Sequence, residues 1–234
     1  MGPVSIHAAA SPFPGEWIPV LTGDGSFTLD NAQLQEHYHS VFGAATESRH
    51  VYFTNGLHRS GGRNVKVLEV GLGTGLNALL TWMACRTGVL EVEYLGLEPF
   101  PVAPSLLAAV DHARAVGRPE LREDFEAMMA APEDRTWSHP DGFTFRWIRT
   151  PVQELDLEEA VDVVYFDAFA PSVQPAMWTV DVFTRIHKAM RPGAVLATYC
   201  AQGEARRAME AAGMVTERIP GPPGKRQMLV AYRR

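Results

Sequence analysis

From residue 65 onward the sequence alternates short apolar, β-branched runs with longer segments of helical periodicity. A chain with that rhythm folds as parallel strands joined by crossover helices, because each helix returns the chain to the same end of the sheet. Strands are expected over 65–70, 92–97, 143–148, 161–166 and 194–199, and helices over 76–85, 104–116, 178–190 and 203–212. The run 161–166 is almost wholly apolar, as a strand covered on both faces requires. Two last runs, 214–219 and 227–232, flank Pro220-Gly221-Pro222-Pro223-Gly224, a stiff connection suited to antiparallel neighbours. The expected fold class is an open α/β sheet with a reversed last strand.

The first sixty residues lack this rhythm. Gly23-Asp24-Gly25-Ser26 is a turn signal, 27–29 a short strand and 32–42 a candidate helix. We expect residues 1–60 to form an extension that packs on the sheet and covers the active face of a domain spanning 61–234. The polar, Pro-containing stretch 128–141 reads as a surface insertion. A length of 234 residues, 46% of them hydrophobic and 21% charged, provides a globular core and excludes disorder.

A net charge of −6 excludes a uniformly basic nucleic-acid binder. Residues 205–234 nevertheless carry seven basic and two acidic side chains, so a polyanion would dock at that end. Lys225 and Arg226, beyond the Pro/Gly connection, are candidates for phosphate contact, with ordinary solvated charges as the alternative. Cys85 and Cys200 lie far apart in apolar surroundings and read as reduced core residues of a cytoplasmic protein. Residues 1–10 carry no export signal, and no stretch approaches the ~20 apolar residues that span a bilayer, so no membrane partner is expected. On a helix, the histidines of Glu36-His37-Tyr38-His39 would point apart, and no metal is expected. Tyr38, His39 and Ser40 are candidates for lining a cofactor pocket or for packing against the glycine loop, and Trp178 for the core, with a lid as the alternative.

Glu69-Val70-Gly71-Leu72-Gly73-Thr74-Gly75 falls between the first strand and the first helix. Glycines there permit positive φ and let a ligand approach the backbone, while the helix start offers amide donors. Leu76 stands where a dinucleotide fingerprint places its third small residue, and no lysine follows as in a phosphate-binding P-loop. Glu98 ends the second strand, where a carboxylate accepts hydrogen bonds from ribose hydroxyls. A nucleoside cofactor lacking phosphate fits this set. The pattern resembles class I S-adenosylmethionine-dependent methyltransferases, which have a Rossmann-like sheet. That resemblance implies a cofactor site holding Glu69, Gly71, Gly73, Gly75, Asn77 and Glu98, with Gln153 or Glu154 in place of the usual aspartate at the adenine.

Asp167-Ala168-Phe169-Ala170-Pro171 follows the fourth strand, at the end of the sheet where ligands bind. Methyl transfer to nitrogen needs alignment and a free lone pair. Asp167 is placed to orient or deprotonate an amine, Phe169 to stack on a base and Pro171 to stiffen the loop, although a strand-end aspartate also serves as a turn residue. The run from Asp167 through Pro175 and Trp178, the later Thr198-Tyr199-Cys200-Ala201 and Pro220 to Arg226 are similar to the methyltransferase domain of the MnmC family. Asp24-Gly25-Ser26, Glu36, Tyr38-His39-Ser40, Gly43-Ala44 and Glu47-Ser48 are similar to its single-domain members. The resemblance implies methylation of the amine of 5-aminomethyl-2-thiouridine at the wobble position of tRNA, in its anticodon region. It also implies a separate enzyme that supplies this amine, the role of an FAD-dependent domain in larger members. A methyltransferase for small-molecule amines and a non-catalytic nucleoside- or tRNA-binding protein are the alternatives.

Overall fold

The computed structural model describes residues 13–234, so the stretch 1–10 lies outside the described residues. Strands β1 (Ile18–Leu21), β2 (Phe27–Asn31) and β3 (Glu36–His37) form a small antiparallel sheet. Helix α1 (Ala44–Ser48) continues as a π-helical stretch, Arg49–Thr54, and a 3₁₀ turn, Leu57–Ser60. The expected helix over 32–42 is absent. The Asn31 side chain instead accepts from the amides of Gln33 and Leu34, Gln35 turns the chain at φ 56°, and Glu36 and His37 pair with β2. Those two bonds would also cap a helix, so it is the left-handed turn at Gln35 and the pairing with β2 that stop one from continuing.

The main sheet contains β4 (Asn64–Val70), β5 (Glu91–Leu97), β6 (Trp137–His139), β7 (Phe143–Ile148), β8 (Val161–Phe166), β9 (Met190–Thr198), β10 (Val215–Pro220) and β11 (Gln227–Tyr232). Their order is β10-β11-β9-β8-β4-β5-β7-β6. Strands β4, β5, β7, β8 and β9 run parallel, and β11 is reversed against β9, as the sequence rhythm predicts. The segment 128–141 is more ordered than an insertion, since α5 (Arg122–Met129) runs into it and β6 pairs antiparallel with β7. The helix expected over 104–116 breaks at Asp111, at φ 37°, into α3 (Pro104–Val110) and α4 (His112–Ala115), and the Asp111 carboxylate caps the second by accepting from Arg114.

Helix α2 (Leu76–Cys85) packs Leu79 and Trp82 with Tyr52 against Val67, Tyr94, Phe143 and Tyr165 on one face of the sheet. On the other face Phe183 and Ile186 of α6 (Val180–Ala189) meet Leu68, Val70, Phe166 and Leu196. Side chains alternate along β4, so Glu69 shares the α2 side with Val65 and Val67 and is fully buried there. Strand β4 has β5 on one side and β8 on the other, which makes its carboxyl end the switch point where an open sheet leaves a crevice.

Candidate active site

The carboxyl ends of three strands are tied together at this crevice. The Gly71 amide donates to the Leu97 carbonyl at 3.0 Å and the Asp167 amide to the Val70 carbonyl at 2.9 Å. Gly71 has φ 89°, and a Cβ there would lie 2.5 Å from the Asp167 carbonyl oxygen, so only glycine fits. Gly73, at φ 52°, lies under the Tyr38 ring, 2.9 Å from where its Cβ would sit to Cδ1. A cavity of about 870 Å³ opens above these glycines. Gly75 is buried behind it, starting α2 against Met129 and Phe125.

Glu98 and Asp167 both line the cavity, each being the first residue past its strand. Glu98 accepts from the amides of Gly73 at 2.9 Å and Phe100 at 3.0 Å. Burial raises its pKa above the ordinary value and these two amides draw it part of the way back. Asp167 accepts from the Tyr52 hydroxyl at 2.6 Å and from Asn77 Nδ2 at 2.9 Å. Asn77 Nδ2 also donates to Glu69 at 2.7 Å, and Tyr94 donates to the other Glu69 oxygen at 2.7 Å. Glu69 therefore does not face the cavity, because the strand's alternation turns it into the α2 layer, and it reaches the site only through Asn77. Burial and then the charge of Asp167 push the Glu69 pKa well up. Burial also raises that of Asp167, against the opposing effects of His39 and of the bonds from Tyr52 and Asn77.

Beside this floor, His39 and His112 approach the Thr74 hydroxyl at 3.5 and 2.8 Å. Burial, then the neighbouring His39, pushes His112 down to about 3. One cavity wall is aromatic. Trp17 lies nearly parallel to Phe169, with centroids 5.6 Å apart, and Tyr38 meets Trp17 edge-on at 4.6 Å. The Trp178 indole N–H donates to the Phe169 carbonyl at 2.8 Å and holds the loop from below. Pro171 is half-buried on the same loop but does not line the cavity.

Ser40 and Gln153 line the cavity, whereas Glu154 is exposed away from it. Lys225 lines it too. Its ammonium pairs with Glu47 at 2.6 Å and sits 3.8 Å from the centre of the Tyr199 ring, which makes it part of the cavity wall. Arg226, the next residue, is exposed. His37 pairs with Asp30 at 3.0 Å, and among the described residues no group of three or more His, Cys, Asp or Glu side chains is placed to hold a metal. No described helix is long and apolar enough to cross a membrane.

Residues 143–234 match the sequence model of an S-adenosyl-L-methionine-dependent methyltransferase family. Over 225 residues the chain is 32% identical to the tRNA 5-methylaminomethyl-2-thiouridine biosynthesis bifunctional protein MnmC of Cupriavidus metallidurans, covering 91% of this chain and 33% of that protein. The Aeromonas salmonicida protein of the same name is 30% identical over 259 residues, covering 100% of this chain and 36% of the relative. The fold is that of the crystal structure of MnmC2 from Aquifex aeolicus, with a TM-score of 0.68 at 22% identity over 94% of this chain and 72% of that one. The chain belongs to the MnmC methyltransferase-domain family. It spans about a third of the length of the curated relatives it matches.

The cavity fits the S-adenosyl-L-methionine of this MnmC-type, class I methyltransferase fold. Gly71 and Gly73 line the cavity where any side chain would collide with the Asp167 carbonyl or the Tyr38 ring, and the Glu98 carboxylate is held in place by two amides with lone pairs remaining for hydroxyls. Gln153 is the one of the two expected adenine partners that lines the cavity, and it is tethered through Nε2 to the Ala176 carbonyl at 3.3 Å. The sequence does not single out Tyr52, Tyr94, Trp17 or His112, and it marks Glu47 only through the family resemblance. Each owes its place to contacts distant in the chain, and the 44–60 stretch that supplies Glu47 and Tyr52 shows no strong local periodicity.

Proposed function

We propose that the chain methylates the amine of a 5-aminomethyl-2-thiouridine at the tRNA wobble position. The observation that carries this reading is Asp167, which lines the same cavity as Gly71, Gly73 and Glu98 and has both oxygens oriented by fully buried donors. S-adenosyl-L-methionine, when bound, supplies an electrophilic methyl group. The acceptor amine is protonated in water much as a lysine is, and an ammonium has no lone pair to offer. Asp167 holds the ammonium and takes its proton, while Phe169, Tyr38 and Trp17 offer a wall on which a uracil ring stacks.

The names of the relatives support tRNA as the partner, and exposed Arg226 on the basic C-terminal end is placed to meet phosphates of the anticodon region. On this reading the described part of the N-terminal extension, 13–60, serves as a cover for a methyltransferase domain spanning 61–234, Gln153 meets the adenine, and Tyr38 and Ser40 close the cofactor pocket. The amine itself comes from a separate amine-generating enzyme, and the reaction takes place in the cytoplasm.

Methyl transfer to bulk tRNA, followed by mass spectrometry of its nucleosides, tests the assignment. The expected product is the methylaminomethyl nucleoside, and transfer only to members of a small-amine panel overturns it. Asp167→Ala is expected to lower kcat by ~10²–10⁴ with donor binding retained. Unchanged turnover removes Asp167 from the chemistry, and donor binding with no acceptor at all makes the chain a binding protein.

A further inference from the structure

Tyr52 lies on the π-helical stretch Arg49–Thr54 and is 1% exposed. Its hydroxyl donates to Asp167 Oδ1 at 2.6 Å, while Asn77 Nδ2 donates to Oδ2 at 2.9 Å. An amide nitrogen has two protons, and the second from Asn77 goes to Glu69 at 2.7 Å, so Asn77 cannot turn without leaving one carboxylate bare. Each Asp167 oxygen thus takes one bond from below and keeps lone-pair capacity toward the cavity that Asp167 lines. The Tyr52 ring packs against Tyr165 with centroids 5.2 Å apart, which fixes where its hydroxyl points.

We infer that Tyr52 is a positioning residue for the transfer, setting the plane of the Asp167 carboxylate so that its free lone pairs meet the acceptor nitrogen. This rests on the reading of Asp167 as the group that meets the amine. A carboxylate with a single donor would rotate about its last bond, and proton acceptance depends on geometry before basicity. The groups that face Asp167 come from several elements: Tyr52, Asn77 of α2, Glu69 of β4 through Asn77, Glu47 of α1, His39 after β3 and Tyr199 after β9. Lys225 is held away by its pairing with Glu47. Tyr52 is the one that binds Oδ1 directly.

Tyr52→Phe removes the hydroxyl and keeps the ring. With bulk tRNA as acceptor, kcat is expected to fall about tenfold or more while KM for the donor stays within about twofold. The Asp167 carboxyl carbon, followed by ¹³C NMR and assigned with Asp167→Asn, is expected to titrate at higher pH in Tyr52→Phe, because a bond that favoured the ionised form is gone. An unchanged titration together with kcat within about twofold of the parent overturns the inference. In the unmutated protein the Tyr52 ring carbon bearing the hydroxyl is expected to follow the Asp167 titration, and a signal indifferent to it also overturns the inference without any Tyr52 variant. If tRNA accepts no methyl group, the substrate reading fails, while both titrations still decide whether Tyr52 holds Asp167.

Discussion

Residue by residue, the site is built from polar groups that the fold has taken out of water. The Glu69 and Asp167 carboxylates are satisfied by Tyr52, Tyr94 and the Asn77 amide nitrogen in a chain of short bonds, which is what makes two carboxylates tolerable beside an apolar layer, while the Asn77 amide oxygen finds no partner among the described residues. His112 is handled differently: it is buried and kept neutral, with its pKa pushed from 6.5 to about 3. Between those values the unfolded chain binds a proton that the folded chain refuses. The contribution is therefore fully present above pH 6.5 and lost as the pH falls toward 3, at up to about 1.4 kcal/mol per pH unit. The two buried carboxylates act in the opposite sense, since their raised pKa values make the folded chain the better proton binder. Urea unfolding across about pH 7.5 to 5 is expected to show a shallower acid loss in His112→Gln than in the parent. Equal slopes would mean that His112 takes up its proton without unfolding.

Among the elements, the turns decide the geometry and the strands only deliver it. The turn before β2 is held by Asp24, which accepts from Ser26 at 3.1 Å and reaches across to the Thr46 amide at 2.8 Å and hydroxyl at 2.7 Å. Burial acts against the charge, yet the bonds from Ser26 and Thr46 hold the Asp24 carboxyl well below its usual range. This one side chain joins the small sheet to the first turn of α1, and through α1 to Glu47 and Tyr52. Asp24→Ala is expected to cost about 1–2 kcal/mol in stability, measured by chemical denaturation, and to loosen the cavity wall. A loss below about 0.3 kcal/mol would show that the neighbouring hydroxyls suffice. The strands, the glycine turn and the strand-end acids Glu98 and Asp167 were legible in the sequence, because period-two runs and backbone punctuation are local signals. The motif implies a cofactor contact for Glu69, and only the alternation along β4 shows that its side chain enters the α2 layer. The segment 32–42 differs for a related reason: its apolar spacing suits a helix and Asn31 even caps the amides of a first turn, but Gln35 turns left-handed and Glu36 and His37 pair with β2, a contact no local pattern announces. Tyr52 and Trp17 had no local signal, since their roles exist only across the fold.

For the whole molecule, the decisive feature is that segments early and late in the described residues, 40–47 and 224–225, meet at the cavity. The connection between β10 and β11 brings Lys225 onto Glu47, whose second oxygen accepts from the Ser40 amide at 2.7 Å, so one carboxylate ties the C-terminal hairpin to the N-terminal wall. Gly224 lies against Phe42 at the same seam. The Glu47 side chain is 7% exposed and that of Lys225 33%, which places the pair between a solvated surface bridge and a buried one. Surface pairs are worth about 0–1 kcal/mol and breaking a buried one costs about 3–5, so after allowing for screening of Lys225 a coupling of about 1–2 kcal/mol is expected. A double-mutant cycle of Glu47→Gln and Lys225→Met, read by denaturation, measures that coupling. The kinetic consequence separates this seam from a phosphate contact. If Lys225 closes the cavity, Lys225→Met raises the acceptor KM but leaves the salt dependence of tRNA binding as it was, whereas Arg226→Met reduces the salt slope by about one contact. A reduced slope in Lys225→Met would return that residue to the outer surface, and with it the idea that the basic end of the chain acts as a single patch.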